Sequence, residues 1–225
     1  MPTVTLRARV EEMLHQRCFI LFMALLALLV SMPFLYESAS GRWIITLTTV
    51  LVLVTAVAAV GRTRLSFVIA IFLALPALVL RLLAAGSPSP GQFALAWGCN
   101  ALFYAFVLAN LLNYVLRRDV MTADKLYGAV SAYVLIAILW SFLHGVVQYF
   151  HPGAYAIGGT PKVLDMGELI YFSFTALSTT GFGDITPMLI QSRFLTMLEM
   201  VTGVMYIAIL IARLTGVYPV IEPKR

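Results

Sequence analysis

Six long apolar runs, separated by short joints rich in Arg, Lys, Gly and Pro, dominate this 225-residue chain. Each is long enough to cross about 30 Å of hydrocarbon as a helix. The pattern predicts spanning helices over residues 18–36, 42–60, 66–84, 92–116, 125–149 and 190–214. A shorter apolar stretch, 166–178, cannot span and runs directly into a loop with two glycines. The expected class is an all-α integral membrane fold: six transmembrane helices plus a short re-entrant helix and its loop.

Composition supports this reading. Hydrophobic residues make up 61% of the chain and charged residues 11%, which excludes an ordinary soluble domain and disorder alike. The net charge of +5 does not point to nucleic acid, because the cations sit at the ends of apolar runs. There they report topology. With a cytoplasmic N-terminus, the inner segments hold Arg7, Arg9, Arg17, Arg62, Arg64, Arg117, Arg118, Lys125, Arg213, Lys224 and Arg225. The outer ends hold Arg42, Arg81, Lys162 and Arg193. The expected location is the inner (plasma) membrane, multi-pass, with both termini cytoplasmic. Glu11 and Glu12 interrupt the basic stretch before the first run and no small-residue cleavage site follows, so that run is expected to be retained rather than removed as a signal peptide. Residues 1–17 alternate apolar and basic positions with a helical period. They read either as an amphipathic segment on anionic lipid or as a frayed terminus. Cys18 and Cys99 lie inside apolar runs and suggest neither a disulfide nor a metal site.

The candidate chemistry lies between the last two runs. Asp165-Met-Gly-Glu168 is a capping-box pattern opening the short helix. Residues 178–187 then read Ser-Thr-Thr-Gly-Phe-Gly-Asp-Ile-Thr-Pro. Stripping a cation of water requires rings of inward-facing oxygens, and alternate glycines tolerate the left-handed dihedrals that such a backbone needs. Thr179-Thr180-Gly181-Phe182-Gly183 resembles the filter of the bacterial potassium-channel pore family, differing at two positions from its Thr-Val-Gly-Tyr-Gly loop. The resemblance covers about 125–215, taken as a pore domain: outer helix 125–149, pore helix 166–178, filter 179–183 and inner helix 190–214. It implies K+ ligation by Thr179, Thr180, Gly181 and Phe182, an outer-mouth carboxylate at Asp184, and a four-fold ring of copies around the ion, a homotetramer in the lipid bilayer. It implies no cofactor beyond the permeant K+. Phe182 stands where the family usually has tyrosine, and Thr180 where it has valine.

On the last helix, Gly203 stands 22 residues after Gly181, where the family carries a hinge glycine; close helix packing is the other reading. In the same register Gly203, Val204, Ile207 and Ile211 are expected to line the inner cavity and its gate, the last three from one face. Glu199 is an intramembrane carboxylate, and helical spacing turns it off that face. It is expected to support the filter from behind, with Thr175 or Ser178 on the pore helix as partner. Residues 1–124 match the family only in helix count and orientation, with 18–116 as a four-helix sensor-like domain without gating charges. The predicted fourth helix carries no Arg or Lys before Arg117 and Arg118, so voltage dependence is expected to be weak or absent. Asn100, Asn110 and Asn113 on that helix are expected to bond between helices. Only about ten residues follow the last run, so no cytoplasmic regulatory domain is expected there. His15, His144 and His151 are scattered, no nucleophile has a base beside it, and enzyme activity is not expected. Three rival functions stay open: a non-selective cation channel; a K+ transporter subunit, although transporters of that kind carry four such loops in one chain; and a non-conducting membrane sensor.

Overall fold

A computed structural model describes residues 16–35, 39–61, 63–83, 90–117, 120 and 122–215. The amphipathic segment expected over 1–17 lies almost wholly outside these residues. Every apolar run is a helix: α1 Arg17–Leu35, α2 Ala39–Val60, α3 Arg64–Leu83, α4 Pro90–Val115, α5 Ala123–Phe150 and α7 Ile190–Thr215. The short stretch is α6, Met166–Leu177. Among the described residues, four helices are long and apolar enough to cross a membrane: Arg17–Phe34, Ala94–Val115, Ala123–Phe150 and Ile190–Thr215. Thr46–Val60 and Arg64–Leu80 are shorter apolar segments.

The fold departs from all-α in one place. From its sequence, the 150–165 segment is expected to be a Gly/Pro-rich outer loop; it instead contains β1 Tyr155–Ile157 and β2 Thr160–Pro161, joined by the two-residue turn Gly158-Gly159. Both glycines have positive φ, 56° and 83°, which suits a tight hairpin turn. The stretch after the glycine loop, β3 Ile185–Pro187, adds antiparallel to β1, giving sheet order β2-β1-β3.

One core joins the first four helices to α5. Leu21, Leu25 and Leu28 of α1, Val52 and Ala56 of α2, Phe103, Tyr104, Val107 and Leu111 of α4, and Ala132, Leu135 and Ile138 of α5 bury together. The four-helix domain thus packs on the α5 of its own chain. Asp124, in the first turn of α5, pins the shared end of this bundle. Its Oδ1 accepts from Cys18 N of α1 at 2.9 Å, and its Oδ2 accepts from Tyr114 Oη of α4 at 2.8 Å. Asn100 and Asn110 do not bond between helices as expected. Each donates from Nδ2 to a carbonyl one turn back on α4, Ala96 O at 2.8 Å and Phe106 O at 2.9 Å. A short amide side chain on an apolar helix reaches its own backbone first.

α7 is amphipathic in reverse. Its buried residues are Ser192, Thr196, Glu199 and Gly203, spaced four, three and four apart and therefore on one face. Its large apolar side chains, among them Phe194, Met197, Val201, Val204, Ile207 and Ile211, are exposed in the single chain. A helix in water would bury the opposite face.

Candidate functional site

The site is built from α6 outward. Its capping box is complete. Asp165 Oδ1 accepts from Glu168 N at 2.9 Å, while Glu168 Oε2 accepts from Asp165 N at 3.0 Å. Lys162 Nζ donates to Glu168 Oε1 at 2.5 Å. This reciprocal pair satisfies two otherwise orphaned amides and sets the helix start. At the other end Ser178 Oγ turns back to Phe174 O at 2.7 Å and meets Thr180 Oγ1 at 2.8 Å. The final carbonyls carry the negative end of the helix dipole.

Beyond Ser178 the backbone changes hand at every residue. Thr179, Gly181 and Gly183 have φ of 58°, 50° and 80°, whereas Thr180 and Phe182 between them are not left-handed. Thr179 is the single non-glycine with positive φ among the described residues. A β-branched residue in this region is a real outlier, at a penalty of about 1–2 kcal/mol, and such strain concentrates at functional sites. The amides explain which way the loop faces. Thr179 N donates to Ala176 O at 2.9 Å, and Thr180 N and Gly181 N both donate to Thr175 O at 2.9 and 3.2 Å. In a planar trans peptide, C=O points opposite to the N–H of the next residue. The carbonyls of Ser178, Thr179 and Thr180 are therefore turned away from α6, into the space the chain leaves open. Residues 178–184 are all exposed in the single chain.

The C-terminal end of the loop is held from behind. Tyr171 Oη of α6 donates to Asp184 Oδ2 at 2.8 Å, and Ile185 N donates to Oδ1 at 3.0 Å. The tyrosine hydroxyl, followed by the amide, holds the Asp184 carboxyl below the usual range against a smaller opposing desolvation effect. Phe182 stacks on the Tyr171 ring, centroids 6.5 Å apart and planes 5° apart. The sheet register, Tyr155 opposite Pro187, Ala156 opposite Thr186 and Ile157 opposite Ile185, clamps the segment that follows. Gly158 N adds a bond to Asp184 O at 3.2 Å. Gln148 of α5 brackets Leu164, donating to its carbonyl at 2.8 Å and accepting from its amide at 3.0 Å.

Three expected roles require correction. Thr175 does not use its hydroxyl for Glu199; that group donates to Phe172 O of its own helix at 2.8 Å, and it is the Thr175 carbonyl that holds the loop. Glu199 is fully buried and off the exposed face of α7, but it bonds neither Thr175 nor Ser178. Its Oε2 meets His144 Nε2 of α5 at 2.8 Å, and His144 Nδ1 meets Tyr155 Oη at 2.6 Å. Ser173 Oγ of α6 and Glu199 Oε1 are buried and make no formed hydrogen bond. Gly203 does not share the open face with Val204, Ile207 and Ile211. It is buried against the end of α6, where a Cβ would fall 2.0 Å from Leu177 O.

Sequence reasoning missed Tyr171, Gln148, Tyr155 and His144. A histidine inside an apolar run is itself a signal for function, and it was available at His144. The tyrosines and the glutamine needed the register of the sheet.

A family model described as "Ion channel" matches residues 130–218, which run from α5 through the sheet, α6 and the loop to α7. The chain is 26% identical over 102 residues to the voltage-gated potassium channel Kch of Escherichia coli (strain K12). That alignment covers 45% of this chain and 23% of the relative, so the chain spans under a quarter of that protein's length. No solved structure matches. Family match and loop geometry fall on the same residues, and they point to an ion channel, carried by a mostly helical membrane chain, rather than to an enzyme.

Proposed function

We propose that the chain is a subunit of a potassium-selective channel that conducts K+ passively down its gradient as a homotetramer. The observation that carries this reading is the strained loop, with left-handed Thr179, Gly181 and Gly183 alternating with Thr180 and Phe182. Its amides are turned onto a capped short helix. Successive residues of opposite hand turn N–H groups to one side and carbonyls to the other, the arrangement by which oxygens replace a hydration shell. Thr179, Thr180, Gly181 and Phe182 supply those oxygens, and Asp184 enriches cations at the outer mouth.

One loop cannot surround an ion, and closed cyclic symmetry supplies the rest. The open apolar face of α7 then lines the axis, with Val204, Ile207 and Ile211 forming a constriction that gates by dewetting. Six helices span the membrane and α6 re-enters from outside, where irregular backbone at membrane depth is tolerated because it lines water. The Lys/Arg bias places both termini in the cytoplasm, and a bacterial inner membrane is the setting. α4 contains no charged residue, so gating by voltage is weak or absent.

Purified protein in liposomes with a K+ gradient tests the reading. K+ efflux in the absence of a Na+ equivalent supports it, and equal K+ and Na+ fluxes would favour a second reading, a non-selective cation channel. Phe182 motivates that second reading. It stacks on Tyr171 but has no hydroxyl with which to anchor the loop from behind.

A further inference from the structure

We propose that Glu199, His144 and Tyr155 form a positioning network through which the inner helix α7 sets the geometry of the outer half of the conduction loop. The inference deepens the channel reading and rests on it.

All three side chains are fully buried. They link three elements that are distant in sequence: Glu199 on α7, His144 on α5 and Tyr155 on β1, at 2.8 and 2.6 Å. Phe172 of α6 closes the site, with its ring 5.1 Å from His144 and 5.4 Å from Tyr155. Tyr155 pairs with Pro187 in β3, and Gly158, in the turn that follows the same strand, bonds Asp184 O. The network therefore runs from α7 to the residues leaving the loop. One turn along α7 from Glu199, Gly203 touches Leu177, the residue entering it. A single helix thus grips both ends of residues 178–187.

The bonding is directional. Each imidazole nitrogen has one partner, and which nitrogen carries the proton decides whether Tyr155 donates to the ring or accepts from it. Tyr155 keeps its hydroxyl proton, since burial pushes its pKa up. If Glu199 Oε2 accepts from His144 Nε2–H, the bare Nδ1 accepts from Tyr155, and every donor between the three residues is used. Removing either end leaves a buried ring nitrogen without its partner, which an apolar filler of the same shape cannot supply. Glutamine at 199 can still accept from Nε2–H; alanine cannot.

The test uses the full chain in nanodiscs, with hydrogen–deuterium exchange read on peptides covering 178–188 and K+-to-Na+ flux ratios read in liposomes. Tyr155→Phe keeps the ring and loses one hydroxyl. It is expected to speed exchange in 178–188 about tenfold, as is Glu199→Ala, both with a lowered flux ratio, while peptides of α1–α4 stay unchanged. Glu199→Gln stays within about threefold of wild type, and Tyr155→Phe combined with Glu199→Ala is no worse than about threefold beyond the larger single effect, because coupled groups are not additive. Wild-type exchange in Tyr155→Phe, a loss in Glu199→Gln as large as in Glu199→Ala, effects that multiply, or exchange rising equally in α1–α4 each overturns the proposal. Exchange does not depend on conduction. A wild-type chain that passes no K+ would reject the channel reading and leave the test of the network intact.

Discussion

Replacing Gly203 by alanine sets two effects of opposite sign against each other. In an open stretch of helix, Gly→Ala stabilises by about 1 kcal/mol, because alanine loses less backbone freedom on folding. At Gly203 the added Cβ would stand 2.0 Å from Leu177 O, 2.9 Å from Leu177 C and 3.0 Å from Leu177 Cδ1. Reaching an ordinary contact of 3.4 Å requires a displacement of 1.4 Å. The obstacle is a backbone carbonyl, which cannot rotate away as a side chain can. Overpacking of this kind costs about 1–3 kcal/mol, so the packing term wins or at least cancels the propensity gain. The strain falls on the last residue of α6, one step before Ser178 and two before the left-handed Thr179. Gly203→Ala should therefore lower the thermal midpoint of the reconstituted protein and reduce the K+-to-Na+ flux ratio together. A hinge glycine without tight packing predicts the opposite: a raised midpoint with unchanged selectivity and altered open probability. That outcome would refute the packing argument.

Gly181→Ala meets no steric obstacle, since nothing lies within 4 Å of its Cβ position, but its φ of 50° is left-handed. A penalty of about 1–2 kcal/mol should redirect the peptide and abolish selectivity, and an unchanged flux ratio would show that the loop is not the filter. Asp184 is held below its ordinary value of 3.8, chiefly by the Tyr171 hydroxyl. A depressed carboxylate contributes its stability in full above the unfolded value and loses it only as pH falls through the folded one. A carbon-13 titration of its carboxyl should accordingly show a midpoint under 3.8 that rises in Tyr171→Phe; a midpoint at or above 3.8 in the wild type contradicts the geometry. With no charge on α4 and roughly 2.3 kcal/mol per charge per 100 mV required to move a sensor, open probability should change only gently over about ±100 mV. A fitted gating charge of several elementary charges would contradict that.

The helices were legible because each apolar run has the length of a span and a polar joint at both ends, and the α6 cap because Asp165 and Glu168 stand at the capping-box spacing. The left-handed positions were legible at Gly181 and Gly183 but not at Thr179, where the residue type argues against the conformation that the tertiary structure imposes. The hairpin was hidden by its glycines and prolines, which read as a loop until β3 supplies the third strand. Glu199 could be turned away from the open face of α7 by helical spacing alone. Its partner could not be named, because His144 lies 55 residues away and only the packing of α5 against α7 brings them together. The buried four-three-four stripe Ser192, Thr196, Glu199 and Gly203 was available in the sequence as a polar seam on an apolar helix.

The central claim is that Thr179 to Gly183 form a filter that prefers K+. A reversal potential measured across a planar bilayer, with K+ on one side and Na+ at equal concentration on the other, tests it most directly. Each tenfold preference displaces the reversal by about 59 mV for a monovalent ion. The account predicts a displacement of about 100 mV or more in the direction of K+ permeation, and its collapse in Gly181→Ala. A wild-type reversal at zero would contradict it.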